Sequence, residues 1–95
     1  MDLNAYITKG IELAGGVVAL ANVLNIDRTN LANAKAGKRS LPSFACVKLA
    51  RLIGEEPTNV IAASELVTEK NPERRAVWLP FVTNEKGGKA ALHVP

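Results

Sequence analysis

Arg28, Thr29, Ala32 and Asn33 lie in the stretch "DRTNLANAK", residues 27–35. Arg offers a planar fork of donors, and Asn offers a paired donor and acceptor. Thr and Ala carry methyl groups. Such side chains suit flat, patterned polar edges such as nucleobase rims: Arg on guanine, Asn on adenine, Thr or Ala on a thymine methyl. Lys35, Lys38 and Arg39 add cations that suit phosphate and carry no information about base identity. Asn22, Asn25, Asn30 and Asn33 crowd the same window. Asn is a poor helix former, so this density needs a reason other than helix stability. The bland alternative is a solvated face, with Arg28 paired to Asp27 and Lys38 and Arg39 as ordinary loop charges.

Other chemistries find little support. Cys46 is the one cysteine, so no internal disulfide can form, and no Cys/His cluster has metal-ligand spacing. Cys46 is expected to be a small core residue. His93 stands alone near the end of the chain. No nucleophile–base–acid set and no phosphate-cradling Gly loop with Lys occurs, so neither an enzyme nor a cofactor or metal is expected. Trp78 is expected to be a packing anchor, on its own chain or on a partner.

The 95 residues suffice for one domain, and 47% are apolar. With one Trp, one Tyr and two Phe, the core must come from Ala, Leu, Val and Ile, which suits closely packed helices. The net charge is +3, unevenly spread. Residues 35–51 hold Lys35, Lys38, Arg39, Lys48 and Arg51 without an acid. Residues 52–73 hold Glu55, Glu56, Glu65, Glu69 and Glu73 against Lys70. A basic segment in a balanced domain is a footprint for phosphate. No apolar run is long enough to span a membrane, and "MDLNAY" lacks the basic-then-apolar pattern of a signal peptide. The expectation is a cytoplasmic protein that binds no membrane.

Helical elements must position these side chains. Asp2 suits the cap of a first helix carrying Leu3, Ile7, Ile11 and Ala14 at helical spacing, closed by Gly15-Gly16. A second helix is predicted from about Val17 to Leu24, with Leu20, Ala21 and Leu24 inward. Asn25-Ile26-Asp27 breaks the chain, Asn tolerating the left-handed conformation of a sharp turn. Asp27 suits the cap of a third helix reaching about Ala36. Gly37 stops it. Pro42 is expected in the first turn of a fourth helix bearing Ala45, Leu49, Leu52 and Ile53, ended by Gly54. Pro57 opens a fifth, with Val60, Ile61, Ser64 and Val67 on one face. Asn71-Pro72-Glu73 starts a sixth carrying Ala76, Val77, Trp78, Leu79 and Phe81. Pro80 kinks or stops it. The alternative for this end is a hairpin pairing "VWLPFV" with "AALHV". Residues 83–95 are expected to form a mobile tail.

Two short helices joined by so brief a break must cross steeply, one braced by the other. This is the helix-turn-helix pattern, whose second helix enters the DNA major groove. Ala21 is small where the two helices approach, and Ile26 plugs the core after the turn. Leu31 and Ala34 are the buried positions of the third helix. That leaves Arg28, Thr29, Ala32 and Asn33 outward. The start of the second helix, Gly16-Val17, offers backbone N–H groups to phosphate.

Residues 1–70 resemble the Cro/cI-like repressors of phages and bacteria, also called the xenobiotic-response-element family. The residues carrying the resemblance are "GGVVALANVLNIDRTNLANAKAGKRSLPS" and "KLARLIGEEPTNVI". "NPERRAVWLPF" resembles short phage-related regulators that append an Arg-and-Trp helix to this domain. The sequence departs from the pattern at Asn25, where Gly is common, and at Arg28-Thr29, where paired amides often open the reading helix. The resemblance implies an all-α, five-helix lambda-repressor-like domain over 1–70, its motif at about 17–36, and a C-terminal helix over 71–82. It implies a repressor on double-stranded DNA, with Arg28, Thr29, Ala32 and Asn33 reading bases. Gly16, Val17, Lys35, Lys38 and Arg39 would hold phosphates. A homodimer on a pseudo-palindromic operator is expected, joined through Trp78, Leu79 and Phe81. Two rival readings remain. One is a DNA-binding antitoxin whose tail folds on a toxin partner; the other is an architectural or recombination-directionality factor that bends DNA.

Overall fold

The computed structural model describes residues 2–83. Among them the chain is all-helical, without a strand. The helices are α1 (Leu3–Ala14), α2 (Val17–Leu24), α3 (Arg28–Lys35), α4 (Ser43–Ile53), α5 (Pro57–Thr68), α6 (Pro72–Trp78) and α7 (Pro80–Thr83). No single one is long and apolar enough to cross a membrane. Residues 84–95, with most of the expected tail, the "AALHV" arm of the hairpin and His93, lie outside the described residues.

Two helix starts have the side-chain caps the sequence offers, those of α1 and α6. The Asp2 carboxylate accepts the Ala5 N–H at 2.9 Å. The Asn71 side chain accepts two N–H groups, of Glu73 at 2.9 Å and Arg74 at 3.1 Å. Asp27 holds the cap position of α3 in an extended conformation, but its side chain caps nothing. Pro42 lies one residue ahead of its expected place: with φ −58° and ψ 149° it precedes α4 instead of joining its first turn. Its carbonyl still accepts the first ladder bond, from Cys46 N–H at 3.0 Å.

At the C-terminal end, helices replace the hairpin alternative: "VWLPFV" runs through α6 and α7. Pro80 breaks the ladder without turning the chain away, because Leu79 keeps right-handed helical angles and Val82 N–H bonds Leu79 C=O at 3.0 Å. Arg75 fixes α6 to the end of α5, its guanidinium donating to Leu66 C=O at 2.9 Å and Glu69 C=O at 2.7 Å. Those carbonyls belong to the last turn of a helix and its cap, where no intrahelical donor remains.

The core gathers Leu3 and Ile7 of α1, Leu20 and Leu24 of α2, Leu31 of α3 and Leu49 of α4, closed by Val60 of α5. Tyr6 joins it, although the apolar spacing of α1 did not single it out. Ile11, Ala14, Leu52, Ile61 and Val67 are half-buried against its edge. Cys46 is buried, as expected. Desolvation by burial raises its thiol pKa, and the neighbouring Ser64 side chain partly opposes that rise.

α1 and α2 turn through 101° across Gly15-Gly16. At the crossing of α1 with α2 and α4, Gly10 has no room for a side chain. A Cβ there would lie 2.6 Å from Leu49 Cδ1 and 3.2 Å from both Leu20 methyls. Gly10→Val is therefore expected to cost about 1–3 kcal/mol by overpacking. Urea unfolding followed by circular dichroism measures this, and a variant as stable as the parent would show that these helices can spread apart freely.

Candidate nucleic-acid interface

α3 has eight residues, and only Leu31 (0% exposed) and Ala34 (1%) are buried. At about 100° per residue, Thr29, Ala32 and Asn33 lie opposite that pair, with Arg28 and Asn30 on the flanks. Arg28, Thr29, Asn30 and Ala32 are exposed and Asn33 is half-buried. The four expected base-reading side chains thus share the solvent side of one helix.

α3 packs on α1 and α2. The turn before it is tight. Asn25 takes φ 58° and ψ 44°, the one positive φ outside glycine among the described residues. Ile26 N–H then reaches back to Ala21 C=O at 3.1 Å, and the Ile26 side chain packs on the core. Ala21 is buried, as expected for the point of closest approach.

Three side-chain bonds from other helices hold this region, all beyond the reach of sequence pattern. The Asn4 amide of α1 donates to the Lys35 carbonyl, at the end of α3, at 2.8 Å. The Lys48 ammonium of α4 donates to Asn25 Oδ1 at 3.3 Å. The Ser64 hydroxyl of α5 accepts the Leu41 N–H at 2.7 Å. Each links residues more than twenty positions apart.

The chain leaving α3 folds back on it. Gly37 takes φ 79°, and Lys38 N–H bonds Asn33 C=O at 2.9 Å. Lys38 and Arg39 are exposed and Lys35 is half-buried. Among the described residues the one ion pair joins Arg74 to Glu69 at 3.8 Å. The pairing of Arg28 with Asp27 is therefore absent, and no carboxylate of the described residues lies within bridging distance of Lys35, Lys38 or Arg39.

One expected phosphate donor needs correction. Gly16 N–H is already bonded to Ile11 C=O at 3.0 Å, because the chain closes α1 there before α2 begins. The first-turn N–H groups of α2, from Val17 onward, are those without an intrahelical acceptor. Phe44 went unnoticed in the sequence. It sits in the first turn of α4, just beyond the basic loop, and is 50% exposed. Its position off the stripe of Ala45, Leu49 and Leu52 was the available signal.

Comparison with known proteins finds no matching family model, curated protein or solved structure. Among the described residues no group of three or more His, Cys, Asp or Glu is placed to hold a metal ion.

The expected dimer residues lie elsewhere. Trp78 and Phe81 pack against each other, ring centres 6.5 Å apart and planes tilted by 54°, and both are half-buried in their own chain. Leu79 is exposed, and its neighbour Val77 more so, at 62%.

The turn yields a test of geometry. Asn25→Ala removes the Lys48 contact and puts a poorly suited residue at positive φ, which should cost about 1–2 kcal/mol. Asn25→Gly loses the same contact but fits the conformation, so the loss should be under about 0.5 kcal/mol. Equal losses in thermal or urea unfolding would mean that the left-handed turn is not the constraint.

Proposed function

We propose that the chain is a sequence-specific DNA-binding regulator of the Cro/cI-like kind, with a lambda-repressor-like arrangement of α1–α5 and α3 as its reading helix. The observation that carries this reading is the division of α3. Two small-to-medium apolar residues anchor it, and its opposite side offers guanidinium, hydroxyl, methyl and amide groups to solvent. Arg28 and Asn33 suit guanine and adenine edges, while Thr29 and Ala32 suit thymine methyls. Lys35, Lys38 and Arg39, without a carboxylate partner among the described residues, suit the flanking phosphates. Val17 suits a phosphate through its backbone N–H at the start of α2.

Repression would be steric: a protein seated on a promoter denies it to polymerase. One reading helix gives little discrimination, so two copies on a two-fold site with half-sites about one DNA turn apart complete the proposal. The exposed Leu79 and Val77, held by the Arg75 clamp, suit the contact between copies. Trp78 and Phe81 would support it from behind.

Selection of bound duplexes from a random pool tests DNA recognition, half-site symmetry and spacing together. On a selected site, Arg28→Ala or Asn33→Ala should lose about 1–3 kcal/mol and relax preference at one base. Lys38→Ala should weaken all duplexes alike and lower the salt slope by about one. If both kinds of change act equally on selected and random DNA, the reading positions are misassigned.

The dimer has a separate test. In sedimentation at micromolar protein the parent should run as a dimer and Leu79→Glu as a monomer. A parent that stays monomeric with and without its site removes the two-fold arrangement.

A further inference from the structure

The basic loop between α3 and α4, residues 36–42, has no helical ladder of its own, yet it carries Lys38 and Arg39. One of its side chains, Leu41, is driven into the core and is 4% exposed. Burying a loop residue takes its backbone N–H and C=O out of water, and both then need partners. Ser64 supplies both. Its hydroxyl accepts the Leu41 N–H at 2.7 Å and donates to the Leu41 carbonyl at 3.1 Å. A hydroxyl can do this because it donates and accepts at a single atom.

Ser64 is otherwise out of place. It lies on the inner face of α5 beside Val60 and Ala63, is 1% exposed, and is the only buried polar residue among those described. The Cys46 thiol lies 3.8 Å from the same Leu41 carbonyl and adds a weak second donor. At its other end the loop is held by the Lys38 N–H on Asn33 C=O. Arg39 and Ser40 are suspended between these two fixed points.

We infer that Ser64 is a positioning residue for phosphate contact: from inside α5 it holds the loop so that Lys38 and Arg39 meet the DNA backbone preordered. The inference rests on the DNA-binding reading. A loop already held in its bound form loses less freedom on binding, so the gain is in affinity and not in base preference.

The test is a double-mutant cycle on the full chain, with Ser64→Ala, Lys38→Ala and the pair, titrated against selected and random duplexes over a range of salt. Each variant is first confirmed as folded by circular dichroism. Ser64→Ala should weaken both duplexes by a similar factor, about three- to tenfold, and flatten the salt slope by about one. Lys38→Ala should then cost clearly less in the Ser64→Ala background than in the parent, because the two act through one contact. Amide exchange at Leu41 should quicken while exchange within α3 is unchanged. If Ser64→Ala does not fold, Ser64→Cys, which keeps the shape with a weak donor and acceptor, takes its place in the cycle. Strictly additive losses with an unchanged salt slope overturn the role of Ser64 and leave the DNA reading intact. A parent chain that binds no duplex at low salt overturns both.

Discussion

The burial of Leu31 and Ala34 is the contact on which the surface of this protein depends. α3 has eight residues, three of them Asn or Thr, and a helix so short is marginal in water by itself. It persists because two apolar side chains reach the core formed by α1, α2 and α4. Once that pair is seated, the remaining positions have no structural duty to be apolar or charged. That freedom explains the unusual outer face: amides and hydroxyls are poor choices for helix stability, and here packing supplies the stability instead. The same seating requires Ala21 to stay small and Asn25 to take a left-handed turn. It also gives the end of α3 an external partner, the Asn4 amide on the Lys35 carbonyl.

Charge follows a second division. The basic run from Lys35 to Arg51 begins at the end of α3 and continues through the loop into α4, while most of the acids fall in and around α5 and at the start of α6. These two sets do not neutralise each other by pairing. Lys48 spends its charge on an uncharged amide oxygen, and Glu55 accepts from Asn59 and from a backbone N–H. Unpaired cations near the exposed side of a polar helix concentrate positive potential there, which in the proposed reading attracts a polyanion.

Local features were the legible part of this fold. Asp2 and Asn71 cap where their types and neighbours say they should. Gly15, Gly54 and Asn25 end helices with positive φ. Each depends on residues within a few positions, so sequence carries it. Asp27 marks the limit of such reasoning: the position is right and the hydrogen bond is missing. Gly16 shows another limit. Taken as the start of α2 alone, its N–H is free for a ligand, but the closure of α1 uses it. The tethers from Asn4 and Ser64 span 31 and 23 positions, and no periodicity encodes them. The sequence places Ser64 on the inward face of α5, and a hydroxyl buried there needs a partner, but the pattern does not say that the partner is Leu41.

α5 is where the two ends of the molecule meet. Its inner face holds the basic loop through Ser64, and its C-terminal carbonyls hold α6 through Arg75. α3 packs on α1 and α2, whereas α6 and α7 pack on α5. In the proposed reading this separation is useful, because a second copy docking on Leu79 and Val77 need not cover the face that meets DNA. It also makes α5 the element through which spacing between two reading helices would be set. A dimer contact made by a swinging tail would leave that spacing undefined. The Arg75 bonds instead fix α6 to a helix that is itself bound into the core at Val60, so any two-fold contact made there would be transmitted to α3 through packed helices and not through a loop.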